Sequence, residues 1–164
     1  MSWVCASCGE VHDELPVVAF PAPYVWYAAS EAEREADFDL TSDTCIWKNE
    51  HFFVRCSLDL PIIGTNQVLG FGIWSTLSEA NFDRYLDHWD DPDRATLGPM
   101  FSWLANVVPD YPDCSTIKCN VHPLEPDFRP RLEIERSDHL LSRHYHEGVT
   151  PDYAAAYVHK HLGI

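Results

Sequence analysis

The chain has 164 residues, of which 46% are hydrophobic and 13% aromatic, enough to build a sizeable core and too apolar for a disordered chain. With 26 acidic against 11 basic residues its formal charge is -15, which repels a phosphate backbone and an anionic bilayer, so neither nucleic acid nor a membrane is an expected partner. No basic-then-apolar leader opens the sequence and no apolar run nears the ~20 residues that span a bilayer, so the expected compartment is the cytoplasm. In that reducing setting the six cysteines are expected as metal ligands or buried thiols rather than as a disulfide framework.

The first feature along the chain is Cys5-Ala-Ser-Cys8-Gly9-Glu-Val-His12. Two thiols spaced Cys-x-x-Cys, with Gly9 free to turn at positive φ and an imidazole following, suit one loop giving several ligands to a tetrahedral metal. Pro16, Pro21 and Pro23 then disfavour a helix and predict an extended segment carrying Phe20, Tyr24, Trp26 and Tyr27 onto the body. Ser30 reads as the N-cap of a helix over Glu31–Asp37, with Glu33 placed for a capping box.

The clearest strand is His51 to Leu60, where Phe52, Val54, Cys56, Leu58 and Leu60 should face the core and alternate with Phe53, Arg55, Ser57 and Asp59. Thr44 to Lys48 is expected to pair with it through a turn at Asn49-Glu50. That register sets Trp47 opposite Phe52 and Cys45 opposite Val54, on the same inner face and diagonal to Cys56. A third strand, Gln67 to Leu77, follows a turn at Gly64-Thr65-Asn66, and Ser78 caps a helix to about Trp89 with Phe82, Tyr85 and Leu86 at helical spacing. Asp87, Asp90, Asp91 and Asp93 lack the alternation and central glycine of a calcium loop and read as a solvated helix stop.

Beyond Pro99, Phe101 to Val108 fits helix or strand, while Thr116 to Val121 and Arg131 to Arg136 read as strands. A short helix is expected from Asp138 to His146, and Thr150-Pro151 starts a last one carrying Ala154, Val158 and Leu162. Neighbouring strands with separate helices make an α+β fold: a mostly antiparallel sheet with a few flanking helices and an N-terminal Cys/His zinc loop. Residues 1–164 are expected to form a single domain, with 1–16 a metal-binding loop packed on the body.

Several motifs carry a resemblance. Cys5 to His12 with Leu15-Pro16, Leu40-Thr-Ser-Asp-Thr-Cys45, Phe52-Phe-Val-Arg55, Leu60-Pro-Ile-Ile-Gly64, Gly72 to Glu79, Tyr111-Pro112, Arg129-Pro130, Asp138-His139 and Glu147-Gly-Val-Thr150 are similar in order and spacing to the bacterial domain-of-unknown-function family 2199. The resemblance covers nearly the whole chain and brings no established activity with it. It implies that Cys5, Cys8, His12 and Cys45 fall where the pattern has cysteine or histidine, whereas Cys56, Cys114 and Cys119 do not. Leu140 and Tyr145 stand where that pattern has a proline and a glutamine.

The expected metal site is a closed, structural zinc with Cys5, Cys8, His12 and Cys45 as its ligands, four protein donors leaving no place for water. Cys56, or Cys114 and Cys119 with His122, remain as an alternative source of ligands, and a thioredoxin-like redox pair fits poorly because no strand precedes the Cys-x-x-Cys. His139, His144 and His146 beside Glu147 lack the His-Glu-x-x-His spacing of a metalloprotease. Gly70, Gly72, Trp74 and Thr76 share a strand face whose missing side chains leave a shallow floor, to be covered by the protein itself or by a ligand. Two functions follow. One is a non-enzymatic, zinc-stabilised interaction domain whose acidic surface recognises a basic protein partner; the other is a metal-dependent hydrolase using the His139–Glu147 segment, with Arg55 or Arg129 as an anion clamp.

Overall fold

The computed structural model describes residues 2–5 and 8–164. A two-stranded antiparallel hairpin begins the chain, β1 (Trp3–Val4) against β2 (Val11–His12), followed by β3 (Val18–Ala19). Where an extended segment is expected, a short helix α1 (Tyr24–Ala28) forms instead, with Pro23 as its N-cap. The prolines all precede the helical residues, so none removes an internal hydrogen bond. α2 (Glu31–Asp37) follows with the expected capping box: the Glu33 N–H donates to the Ser30 hydroxyl, and the Ser30 N–H to the Glu33 carboxylate.

β4 (Phe38–Leu40), β5 (Thr44–Trp47), β6 (His51–Pro61) and β7 (Val68–Leu77) come next, then α3 (Glu79–Asp87), capped by Ser78, and a 3-10 turn at Arg94–Leu97. The ambiguous stretch after Pro99 supplies β8 (Met100–Trp103). A second 3-10 turn at Cys114–Thr116 leads into β9 (Lys118–His122), β10 (Arg131–Ile134), α4 (Leu140–Glu147) and α5 (Pro151–Leu162), the last capped by Thr150. Among the described residues no helix is long and apolar enough to cross a membrane.

The fold is α+β. Eight strands make one mixed sheet in the order β3-β7-β6-β10-β9-β8, with β4 and β5 branching from β6. Among the described strands β3 with β7 and β10 with β6 run parallel and the other pairs antiparallel. Past β8 the chain returns to β7 through a bridge between Leu104 and Ser75, so the sheet curls toward closure. Inside the curl Phe52, Val54, Cys56, Leu58 and Leu60 meet Leu69, Phe71, Ile73, Met100, Val121, Leu132 and Ile134 in the larger core. Against the other face, Phe53, Trp74, Cys45, Ala105 and Val25 of α1 form a smaller one.

The β5–β6 register differs by one residue from the sequence expectation. Cys45 pairs with Phe53 and Trp47 with His51. The turn is centred on Lys48 and Asn49, both at positive φ (55° and 56°), and the Glu50 N–H donates to the Trp47 carbonyl at 3.2 Å. An extra loop residue shifts the pairing, and a one-residue shift sends every side chain of the strand to the opposite face. Cys45 therefore lies in the smaller core and not beside Cys56.

Candidate metal centre

The N-terminal hairpin is built to present its loop. Gly9 adopts φ +74° with open space where a Cβ would be, so its requirement is the left-handed backbone rather than room. The Gly9 N–H donates to the Cys5 carbonyl at 2.7 Å and the Cys5 N–H to the Glu10 carbonyl at 2.9 Å. Pairing of Trp3 with His12 brings the imidazole back over the base of the loop. The two rings lie 5.4 Å apart, and Trp3 Nε1 donates to the Glu14 carbonyl at 2.7 Å. Two anchors hold the hairpin to the body: Trp3 and Cys5 enter the larger core, and Gln67 Nε2 donates to the Asp13 carbonyl at 2.6 Å.

One donor atom each from Cys5, Cys8 and His12 lies within 4.8 Å of the others, and Cys8 Sγ is 3.2 Å from His12 Nε2. This cluster could hold a metal ion. Tetrahedral zinc with Zn–S of ~2.3 Å and Zn–N of ~2.0 Å sets its donors roughly 3.5–4 Å apart, so shifts of about an ångström, with Cys8 and His12 parting slightly, bring the group to that spacing. Two thiols and an imidazole are the donor set that favours zinc over hard cations. Cys5 is buried, Cys8 is exposed and His12 is half-buried, which places the group at the surface with one thiol facing inward.

The structure does not bring Cys45 to this group. Cys5 belongs to the core on one side of the sheet and Cys45 to the core on the other, as the shifted register of β5 dictates. Burial, helped by Asp39, pushes the Cys45 thiol up to about 12. Cys56 and Cys119 point into the curl of the sheet, where burial raises both thiols, Cys119 to about 12. Cys114 donates from its turn to the Tyr111 carbonyl at 3.3 Å.

The histidines expected in the His139–Glu147 segment are spread over separate partners. His139 caps α4 through Nδ1, which accepts from the Leu141 N–H, and its Nε2 meets the Pro112 carbonyl. His146 Nε2 lies 2.7 Å from the Ile134 carbonyl. Tyr153 donates its hydroxyl to that of Tyr111, which lies 2.7 Å from His144 Nδ1, a linked trio that sequence spacing gave no sign of. Burial, then Arg143, lowers the pKa of His144. Arg129 Nε is occupied by Asp43 at 2.8 Å, and Arg55 Nη1 donates to the Ser42 carbonyl at 3.3 Å, so the two arginines brace a loop.

The glycine floor on β7 is covered by the protein. A Cβ on Gly72 would meet Ala19 of β3 at 3.6 Å, and one on Gly70 would meet Asp59 at 3.4 Å and Val17 at 3.7 Å. Trp74 is fully buried, with Nε1 donating to the Phe20 carbonyl at 2.8 Å. Gly70 borders a cleft of about 570 Å³ lined also by Glu14, Leu15, Val17, Asp59, Asn66, Gln67 and Val68.

Residues 4–149 match the family described as an uncharacterized protein conserved in bacteria (DUF2199), and the chain belongs to that family. No curated protein and no solved structure matches it.

Proposed function

We propose that this bacterial DUF2199 protein is a zinc-stabilised interaction domain of the cytoplasm, whose acidic surface recognises a basic protein partner. The observation that supports it is the convergence of Cys5, Cys8 and His12 in the N-terminal hairpin. In comparable small sites the ion contributes roughly 10–16 kcal/mol of apparent binding free energy at neutral pH, far more than a two-residue β-ladder supplies. The ion's part is architectural: it closes the loop between β1 and β2 and so holds the hairpin whose Trp3 and Cys5 enter the larger core. The charge of -15 supplies the steering toward a cationic surface.

Two measurements test the reading. Purified protein should carry one zinc per chain, lost in Cys8→Ser and kept in Cys45→Ser. Partner capture from a lysate should weaken between low and high salt, since screening shortens the reach of exposed charge; capture indifferent to salt counts against charge-led recognition.

A further inference from the structure

We infer that the ion held by Cys5, Cys8 and His12 keeps its fourth coordination position open for a soft donor, a thiolate or an imidazole, that comes from outside the chain. The inference rests on the zinc reading above and specifies what that site binds.

The donor set is incomplete for a closed tetrahedral site. Among the described residues the group contains Cys5, Cys8 and His12 and no further cysteine, histidine or carboxylate. Cys45 is on the far side of the sheet, and a strand cannot turn one side chain through its own sheet without changing register. Cys56 and Cys119 are fully buried. Most of the other histidines are engaged elsewhere: His88 with the Arg84 carbonyl, His122 with Glu133 and His161 with Asp110, besides the three of the α4 segment.

His159 lies beside the hairpin. Its ring meets the edge of Trp3 at 5.8 Å, while His12 lies against the same indole at 5.4 Å. Its donor atoms are outside the cluster.

Three protein ligands leave zinc a position that solvent or an incoming group fills. Here that position is reachable, because Cys8 is exposed and His12 is half-buried. An ion already bearing two thiolates is a soft centre that prefers sulfur or imidazole nitrogen to a hard oxygen donor. A small thiol and the side chain of a protein offer the same chemistry, so the open position is a docking point for either.

Cobalt(II) substitution reads this directly. The chain is loaded with cobalt and its visible spectrum followed while 2-mercaptoethanol or imidazole is added, with Cys45→Ser and His159→Ala run in parallel. The expected result is one cobalt per chain in all three proteins, the same starting spectrum, and a saturable shift of the bands with the added thiol. A shift that instead appears on concentrating the protein alone, together with dimer in sedimentation, assigns the outside donor to a second copy of the chain and equally supports the inference. Stoichiometric cobalt with a spectrum that excess thiol leaves unchanged overturns the inference and spares the zinc reading. A changed starting spectrum in His159→Ala overturns it too, by naming an internal fourth ligand. Failure to take up cobalt at all removes both.

Discussion

Arg94 is 2% exposed, and its guanidinium is held by carbonyls rather than by a carboxylate. Nε donates to Leu124, Nη1 to Trp89, and Nη2 to Glu125 and Phe128, at 2.5 to 3.2 Å, while the rings of Tyr85 and Trp89 lie 5.4 and 5.6 Å from its central carbon. Only a planar fork of five N–H donors satisfies that geometry. Each buried carbonyl left unpaired costs ~1–3 kcal/mol, so Arg94→Met should destabilise the fold by roughly 3 kcal/mol or more. The urea midpoint should fall with an unchanged slope, and Arg94→Lys should recover only part of the loss. Nothing in the sequence announces this residue, because its acidic neighbours read as a solvated helix stop and all but one of the carbonyls that receive it come from a segment thirty or more positions away. The thiols make a second test at this scale. In the metal-free folded chain, alkylation at mildly alkaline pH should modify Cys8 and spare Cys45, Cys56 and Cys119, since thiolate is the reactive form and burial withholds it. Labelling of Cys45 before unfolding, mapped by mass spectrometry, would contradict its place in the smaller core.

Elements whose signals are local were legible, and those set by a turn were not. α2 buries none of its side chains, so it depends on its cap and on the few residues that encode it. Ser30→Ala should cost about 1 kcal/mol and release hydrogen-exchange protection over 31–37. The strand alternation of 51–60 and the caps at Ser78 and Thr150 were readable for the same reason: each is written within a few residues. The β5–β6 register was hidden because it turns on Lys48 and Asn49 both adopting positive φ, a conformation that lysine does not advertise. That single unread turn misplaced Cys45, and with it the fourth ligand. The Asp43–Arg129 pair, 2.8 Å long, ties the loop before β5 to the segment before β10. Burial pushes the Asp43 carboxyl up, but hydrogen bonds from Arg129 and Ser42 outweigh it and hold the group below the usual carboxylate range. A depressed carboxylate stabilises above its unfolded pKa and loses that contribution as pH falls through the folded value. Asp43→Asn should therefore be less stable than the parent at neutral pH, with the difference in urea midpoint closing as the pH falls through the folded value.

For the molecule as a whole, the hairpin adds side chains to the core but no strand to the sheet. β1 and β2 pair only with each other, so chelation should expose residues 1–16 to protease while the far-ultraviolet signal of the sheet persists, and added zinc should restore protection. Cleavage indifferent to the metal would leave the hairpin without the ion as its fastener. The overall α+β class was visible in the spacing of strands and caps; the return of the chain to β7 was not, since it rests on a bridge between Ser75 and Leu104 that links segments distant in sequence. That return has a consequence for solution behaviour. Among the described residues the strands that finish the sheet, β3, β4 and β8, are two, three and four residues long, too short to template a neighbour. A concentrated solution of the folded protein should resist fibre growth, because its described residues present no lengthy ribbon at the margin on which a second chain could zip.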